Sequence, residues 1–501
     1  MDYFKSPAFT TRVEELMAQN HVPGLAIAVV QDNETASAGY GHASLEPSVP
    51  CTADTLFDIA SSSKSLTAAS VGLLVEDEGY PEIQYDAPMS KLLPEDFVMP
   101  SVEYTEGITV DDVLSHRTAE KYRHDLSYMG PRAAQPDDAR SVTRNLRNLP
   151  AAAPLRAKHI YCNMMYTVAT HLIEAKTQQP FSAFLEQRLF QPLRMTSSSL
   201  QPARARERGL GDRIASGHRW DKATSTHEAF PPPDCPEGQG AGSVVTSAND
   251  FIRWVGALLR REAPISEEVY RGLVRLRSFP DPDARGLEPL TSPDLYAAGL
   301  EVHYYRGHAV VGHDGAIPGF RSKFFFLPGS GFGAVVLGNA EGAGAAAATL
   351  CRALVDAAIG VPEADRPAKG KGTEKKEKKN TDKAKEGELS KRETERPPQV
   401  TPLSAYVGSY WNPGYRSFAV QVKDDKLFID GTDRSMGFTL VFDHVADQTK
   451  YGARFKDEHE EEEEDPLDAE FVFENGKAVK MGLRLEDAIK ELIWFEREAG
   501  S

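Results

Sequence analysis

Thr55-Leu-Phe-Asp-Ile-Ala-Ser-Ser-Ser-Lys64 is the stretch on which the reading of this 501-residue chain turns. It holds the only Ser-x-x-Lys in the sequence, Ser61 with Lys64. Residues three apart on a helix share a face, so this spacing brings the Lys64 amine to the Ser61 hydroxyl. A free serine is a weak nucleophile and needs a neighbouring base. At a helix N-terminus, exposed N–H groups also favour an oxyanion beside that serine. A plainer reading of the same residues is a serine-rich helix start, with Ser61 or Ser62 as its cap.

Two downstream pieces favour chemistry. Tyr161-Cys162-Asn163 places a phenol and an amide on one side of the chain. Tyr161 can accept a proton if nearby cations lower its pKa, and Asn163 can orient a substrate carbonyl. Tyr-x-Asn recurs at Tyr410-Trp411-Asn412, where a strand-and-turn tyrosine is the better reading. His313-Asp314-Gly315 is the only His-x-Gly, between an apolar strand signal and the loop Ile317-Pro318-Gly319. Gly315 would let backbone approach a ligand.

Ser61-x-x-Lys64, Tyr161-x-Asn163 and His313-x-Gly315, in that order, resemble the penicillin-recognising serine hydrolases. That superfamily includes class C β-lactamases, DD-peptidases, serine esterases and D-aminopeptidases. The context around the motifs is similar too. Val22–Val30, Ile108–His116, Pro192–Thr196, Gly240–Ser247 and Gly312–Ser322 all take part, so the resemblance spans nearly all of residues 10–360. It implies an α/β fold of the class C β-lactamase type, an antiparallel sheet flanked by helices with a helical subdomain.

The resemblance also implies roles. Ser61 attacks an ester or amide carbonyl, and Lys64 and Tyr161 share the proton work. Asn163 and His313 hold substrate beside Gly315, and the N–H groups of Ser61 and Ala316 form the oxyanion hole. Which of Lys64 and Tyr161 is the base stays open. The sequence departs from the family in three places. His313 stands where β-lactamases usually carry Lys, Cys162 replaces a common Ser, and Arg117-Thr-Ala-Glu120 follows Ser115-His116. His313 suggests the D-aminopeptidase branch. It also predicts a charge for a substrate carboxylate that fades above neutral pH, because free imidazole titrates at about 6.5.

Composition divides the remainder. Residues 361–400 hold no aromatic residue and carry 12 Lys/Arg against 9 Asp/Glu. Such a segment cannot bury enough apolar area to offset its ordering entropy. The reading is therefore a hydrolase domain over 1–363, a disordered charged linker over 364–400 and a second domain over 401–499. In that last part, short aromatic strands are expected near 418–422, 426–429, 438–442, 470–473 and 492–495. They predict a small all-β barrel, similar to the lipocalin-like domain of some peptidases of this superfamily. Cleavage in the linker is then expected to release two compact pieces.

The bulk numbers exclude several functions. Basic residues number 57 against 74 acidic ones, for a formal charge of −17. That argues against nucleic acid or an anionic membrane as partner. No run reaches the roughly 18 apolar residues of a membrane span. The first 19 residues mix Lys5, Arg12, Glu14 and Glu15 with apolar side chains, so no secretory leader is expected. Cys51, Cys162, Cys235 and Cys351 lie far apart, without metal-ligand spacing or disulfide-scaffold density. A reducing, cytoplasmic setting is expected, with no cofactor and no metal. The acidic run 457–465 reads as a solvated loop, and strand alternation scatters His303, His308 and His313.

The expected activity is hydrolysis of a small molecule or short peptide through an acyl-enzyme on Ser61. Acyl transfer to a small acceptor and a non-catalytic scaffold on the same fold are the alternatives.

Overall fold

The helix start Ser6-Pro7 and the apolar spacing of Phe9, Val13 and Leu16 become the helix Pro7–Gln19, with Ser6 Oγ accepting from the Phe9 N–H at 3.2 Å. These apolar side chains cover one face of an eight-stranded antiparallel sheet. The architecture is that of a computed structural model, which describes residues 1–118, 122–366, 398–458, 466–486, 489 and 491–500.

The centre of the sheet is Gly24–Gln31 beside Phe332–Gly338, paired from Leu25–Gly338 to Gln31–Phe332. Both are buried almost throughout, as expected of strands covered on two faces. The apolar runs flanking Pro328-Gly-Ser-Gly331 form the hairpin Phe320–Leu327 and Phe332–Gly338. His308–Ile317 adds on the outer side of Phe320–Leu327, followed by Glu301–Tyr305 and Leu295–Tyr296. On one face the helices Pro7–Gln19 and Ala343–Ala358 pack through Phe9, Leu16, Leu350 and Leu354. On the other lies the helix Ala248–Arg260, with Phe251 meeting Phe324 edge-on at 5.1 Å between ring centroids.

The helical part is built on Ser63–Glu76 and Met164–Thr177. Ser63 to Leu74 is buried at every position, the pattern of a helix enclosed all round. Its polar residues are bonded internally, Ser70 Oγ to the Leu66 carbonyl and Thr67 Oγ1 to the Gly240 carbonyl, both at 2.9 Å. Among the described residues no helix is long and apolar enough to cross a membrane.

Residues 408–497 form a closed barrel of eight strands joined in sequence order. Closure comes from Gly408–Asn412 pairing with Ile493–Arg497, Tyr410 opposite Arg497. Alternation points Phe418, Phe438, Phe455, Phe471 and Phe495 inward, with Phe438 and Phe455 stacked at 4.9 Å.

The described chain groups into two compact units. One holds Met1–Tyr122 and Pro136–Asp365, the other Arg123–Gln135 with Arg366–Ser501. The sequence reading places 123–135 inside the first domain, yet these residues pack with the barrel. Within that unit Met129 bridges to Arg434, the Gly130 N–H donates to the Asp433 carbonyl at 3.0 Å, and Arg132 pairs with Glu458. Arg434 is 1% exposed; it donates to the Ser417 carbonyl and to Met129 Sδ, 4.7 Å above the Phe418 ring. Residues 367–397, most of the expected linker, and 459–465 of the acidic run lie outside the described residues.

Candidate active site

The turn that carries Ser61 is a strand, a reversal and a helix. Phe57–Asp58 pairs with Val244–Thr246, Ala60–Ser62 makes one tight turn, and Ser63–Glu76 follows. The reversal falls at Ala60, whose φ of +45° few non-glycine residues adopt. The Ala60 N–H is held by Asp58 Oδ1 at 2.7 Å. Asp58 is buried, and that burial pushes its carboxyl up to about 7. Ser62 does not cap the helix with its side chain. Its hydroxyl lies 2.7 Å from Ser322 Oγ and donates to the His313 carbonyl, tying the turn to the sheet.

Lys64 is fully buried, and its Nζ donates to Ser61 Oγ at 2.9 Å and to the Ala241 carbonyl at 2.8 Å. The ammonium lies 4.9 Å from the centre of the Tyr161 ring and 5.5 Å from that of Tyr166. Ser61, Lys64 and Tyr161 are thus brought together from separate parts of the chain. Asn163 is half-buried just before the helix Met164–Thr177 and does not cap it with its side chain.

His313 and Gly315 sit on His308–Ile317, opposite Phe324 and Ser322. Pairing with Glu301–Tyr305 stops at Gly312, so on that side the ladder ends before His313. Ala316 is exposed there. The reason for a glycine at 315 differs from the sequence expectation. A Cβ on Gly315 would lie 2.2 Å from the Ile59 carbonyl oxygen and 2.3 Å from Ser322 Oγ. The missing side chain therefore makes room for the backbone at Ile59, at the start of the turn that carries Ser61.

His313 also differs from expectation. It is 3% exposed, and burial first, then the Lys64 charge, pushes its imidazole down to about 4. Its Nδ1 lies 2.5 Å from the Asp314 carbonyl and its Nε2 3.1 Å from the Tyr296 hydroxyl. It is a neutral, doubly bonded group at physiological pH, not a titrating cation.

Three further participants are not singled out by the sequence as site residues: Gly240 and His116 lie in segments that carry the resemblance, and Tyr296 carries no signal. Gly240 turns the chain with φ +84° just before the Ala241 carbonyl meets Lys64. His116 lies 4.2 Å from the Tyr161 ring, and its Nδ1 accepts from the Cys162 N–H. Tyr296, fully within the protein, touches both His116 and His313. Burial is the main cause that holds His116 well below its ordinary range and Tyr296 well above. Cys162 contributes its backbone; its side chain is fully buried, and no disulfide joins any of the four cysteines.

A hydrolase from Aspergillus campestris, the unguisins hydrolase, is 30% identical over 98% of this chain and 91% of its own. The unguisins hydrolase of Aspergillus violaceofuscus is 32% identical over 87% of this chain and 81% of its own. A D-aminopeptidase of Brucella anthropi is 26% identical over 73% and 65%. In fold, the octameric penicillin-binding protein homologue from Pyrococcus abyssi superposes with a TM-score of 0.62, 20% identity, 99% of this chain and 100% of that one. Residues 392–497 match a domain of unknown function, DUF3471. Residues 9–359, which carry all three motifs, match the beta-lactamase family, and the chain belongs to that family.

Proposed function

We propose that this protein is a serine hydrolase that forms an acyl-enzyme on Ser61 and opens an amide or ester bond in a short peptide or small molecule. The observation that carries this reading is the buried Lys64 amine, 2.9 Å from Ser61 Oγ. Ser61 Oγ attacks the substrate carbonyl, and its proton passes to the Lys64–Tyr161 pair. The N–H groups of Ser61 and Ala316 receive the oxyanion. Asn163 steadies the substrate; collapse of the adduct breaks the scissile bond and expels the amine or alcohol, which takes the proton from that pair, and water then attacks the acyl-enzyme, releasing the acid and restoring Ser61. The assembled nucleophile, amine and phenol speak against a scaffold that has lost its chemistry.

The substrate reading follows the relatives. Those with named activities are unguisins hydrolases and D-aminopeptidases. His313 is neutral here, which removes a cation for the carboxylate of a β-lactam. Peptide amides are therefore the proposed substrate class.

Treatment with a serine-reactive phosphonate followed by intact-mass measurement tests the nucleophile. One adduct mapping to Ser61, absent in Ser61→Ala, is expected; labelling that persists in that variant refutes the assignment. Turnover of D- and L-amino-acid amides, short peptides, nitrophenyl esters and a chromogenic cephalosporin tests the class. Amide and ester turnover above cephalosporin turnover is expected, and the reverse order defeats the proposal.

A further inference from the structure

Between the second and third motifs runs a chain of hydrogen bonds whose direction is set at both ends. The Cys162 N–H donates to His116 Nδ1 at 3.1 Å. A backbone amide can only donate, so Nδ1 bears no proton and His116 carries its proton on Nε2. That Nε2–H meets the Tyr296 phenol oxygen at 3.1 Å. The Tyr166 hydroxyl beside Tyr296 spends its own proton on the Leu114 carbonyl at 2.6 Å, and Tyr296, having accepted from His116, sends its proton to His313 Nε2, also at 3.1 Å. His313 must then hold its proton on Nδ1, which donates to the Asp314 carbonyl at 2.5 Å. A carbonyl can only accept, so every bond in the chain has one donor and one acceptor, and no reversed arrangement fits.

The two ends also limit what the chain can do. Neither an amide N–H nor a carbonyl gains or loses a proton under these conditions, so the chain relays no proton. It can only hold rings in place. We infer that Tyr296 is a positioning residue that clamps the third motif to the second, fixing His116 against Tyr161 and His313 as neutral imidazoles of defined tautomer.

The surroundings favour that neutral state. The Tyr161 ring lies 4.2 Å from His116, with His159 and Tyr166 each at 5.4 Å. Lys64 disfavours a second positive charge on either imidazole. His159 faces His116, while Asp314 and Lys323 face His313. His116, His313 and Tyr296 are all buried. Buried polar groups of this kind are costly to leave unpaired, so removing the shared phenol leaves two nitrogens without their partner.

The kinetic part of this inference rests on the acyl-enzyme reading; the tautomers do not. Full-length protein labelled with nitrogen-15 histidine reports tautomers directly, with His116→Asn and His313→Gln used for assignment. From pH 6 to 9, His116 is expected as the Nε2–H form and His313 as the Nδ1–H form, neither titrating. A wild-type His313 protonated on Nε2, or titrating between pH 5.5 and 7.5, overturns the clamp. Tyr296→Phe is expected to disturb both histidine signals and to lower kcat by about 10- to 100-fold, with a smaller change in KM. Unchanged histidine signals and unchanged kcat in that variant likewise overturn it. Because the wild-type tautomers are read without substrate, they decide the clamp even if Ser61 proves unreactive or Tyr296→Phe does not fold.

Discussion

At the scale of single residues, chemistry at this site depends on what each side chain touches. Lys64 donates to Ser61 and to the Ala241 carbonyl, with the rings of Tyr161 and Tyr166 beside its amine. Lys64→Ala and Tyr161→Phe are each expected to lower turnover about 100-fold or more, the scale of a lost proton-transfer group. Steady-state kinetics alongside circular dichroism checks this; near-normal turnover in Tyr161→Phe would make the phenol structural and leave the proton to Lys64. Gly315 makes a different demand. Its added methyl would press on the Ile59 carbonyl, which is backbone and cannot swing aside. Gly315→Ala is expected to destabilise the fold by about 1–3 kcal/mol, the cost of overpacking, and to slow phosphonate labelling of Ser61. A denaturation midpoint and labelling rate equal to wild type would show that the strand yields freely. Ser61 with Lys64 was legible in the sequence because i, i+3 spacing is local. His313 was legible as a position but not as a charge state, since burial and the Lys64 charge set that.

The elements add a constraint that no single residue shows. The strand Phe57–Asp58, the reversal at Ala60 and the helix Ser63–Glu76 form one unit in which a buried carboxyl holds a strained turn. The Asp58 pKa of about 7 lies above its unfolded value, so between about pH 4 and 7 the unfolded chain has released a proton that the native state keeps. Native stability contributed by this group is thus fully present below about pH 4 and declines as pH rises to 7. Across that window the decline is on the order of 4 kcal/mol. Asp58→Asn keeps an acceptor for Ala60 and removes the titration. Its stability relative to wild type is expected to rise with pH through this window, measured by urea unfolding at intervals of pH. A difference that stays flat from pH 4 to 7 would show Asp58 already ionised in the native state. Element by element, the apolar strands were readable, including Gly24–Gln31 and Phe438–Ala446. The barrel strands Lys450–Asp457 and Lys477–Leu483 were not. Their outward residues include the charged Lys450, Arg454, Lys456, Lys477 and Lys480, and only alternate positions such as Tyr451, Ala453 and Phe455 face the interior.

Across the whole molecule, the division of the chain departs from a simple order of domains. Residues 123–135 leave the hydrolase part of the sequence to join the barrel, where Arg434 meets Met129 and Arg132 meets Glu458. A cut in the linker therefore leaves one piece of the barrel unit on each fragment. After site-specific cleavage within 367–397, the two fragments are expected to co-elute in size-exclusion chromatography under native conditions. Glu458→Ala and Arg434→Met together are expected to weaken that association. Separation of wild-type fragments into two independent species would return 123–135 to the first domain.

The sequence by itself determined the motif set, its order and the family, because a serine three residues before a lysine and a run of buried apolar strands are local patterns. It also determined that an aromatic barrel follows a charged segment, since alternation and composition are local as well. The tertiary structure alone decided that His313 is neutral, that Gly315 makes room for the turn carrying Ser61, that Tyr296 joins two motifs and that 123–135 belongs with the barrel. Each of these depends on groups far apart in sequence, such as Cys162 with His116, or Met129 with Arg434, whose meeting only folding brings about.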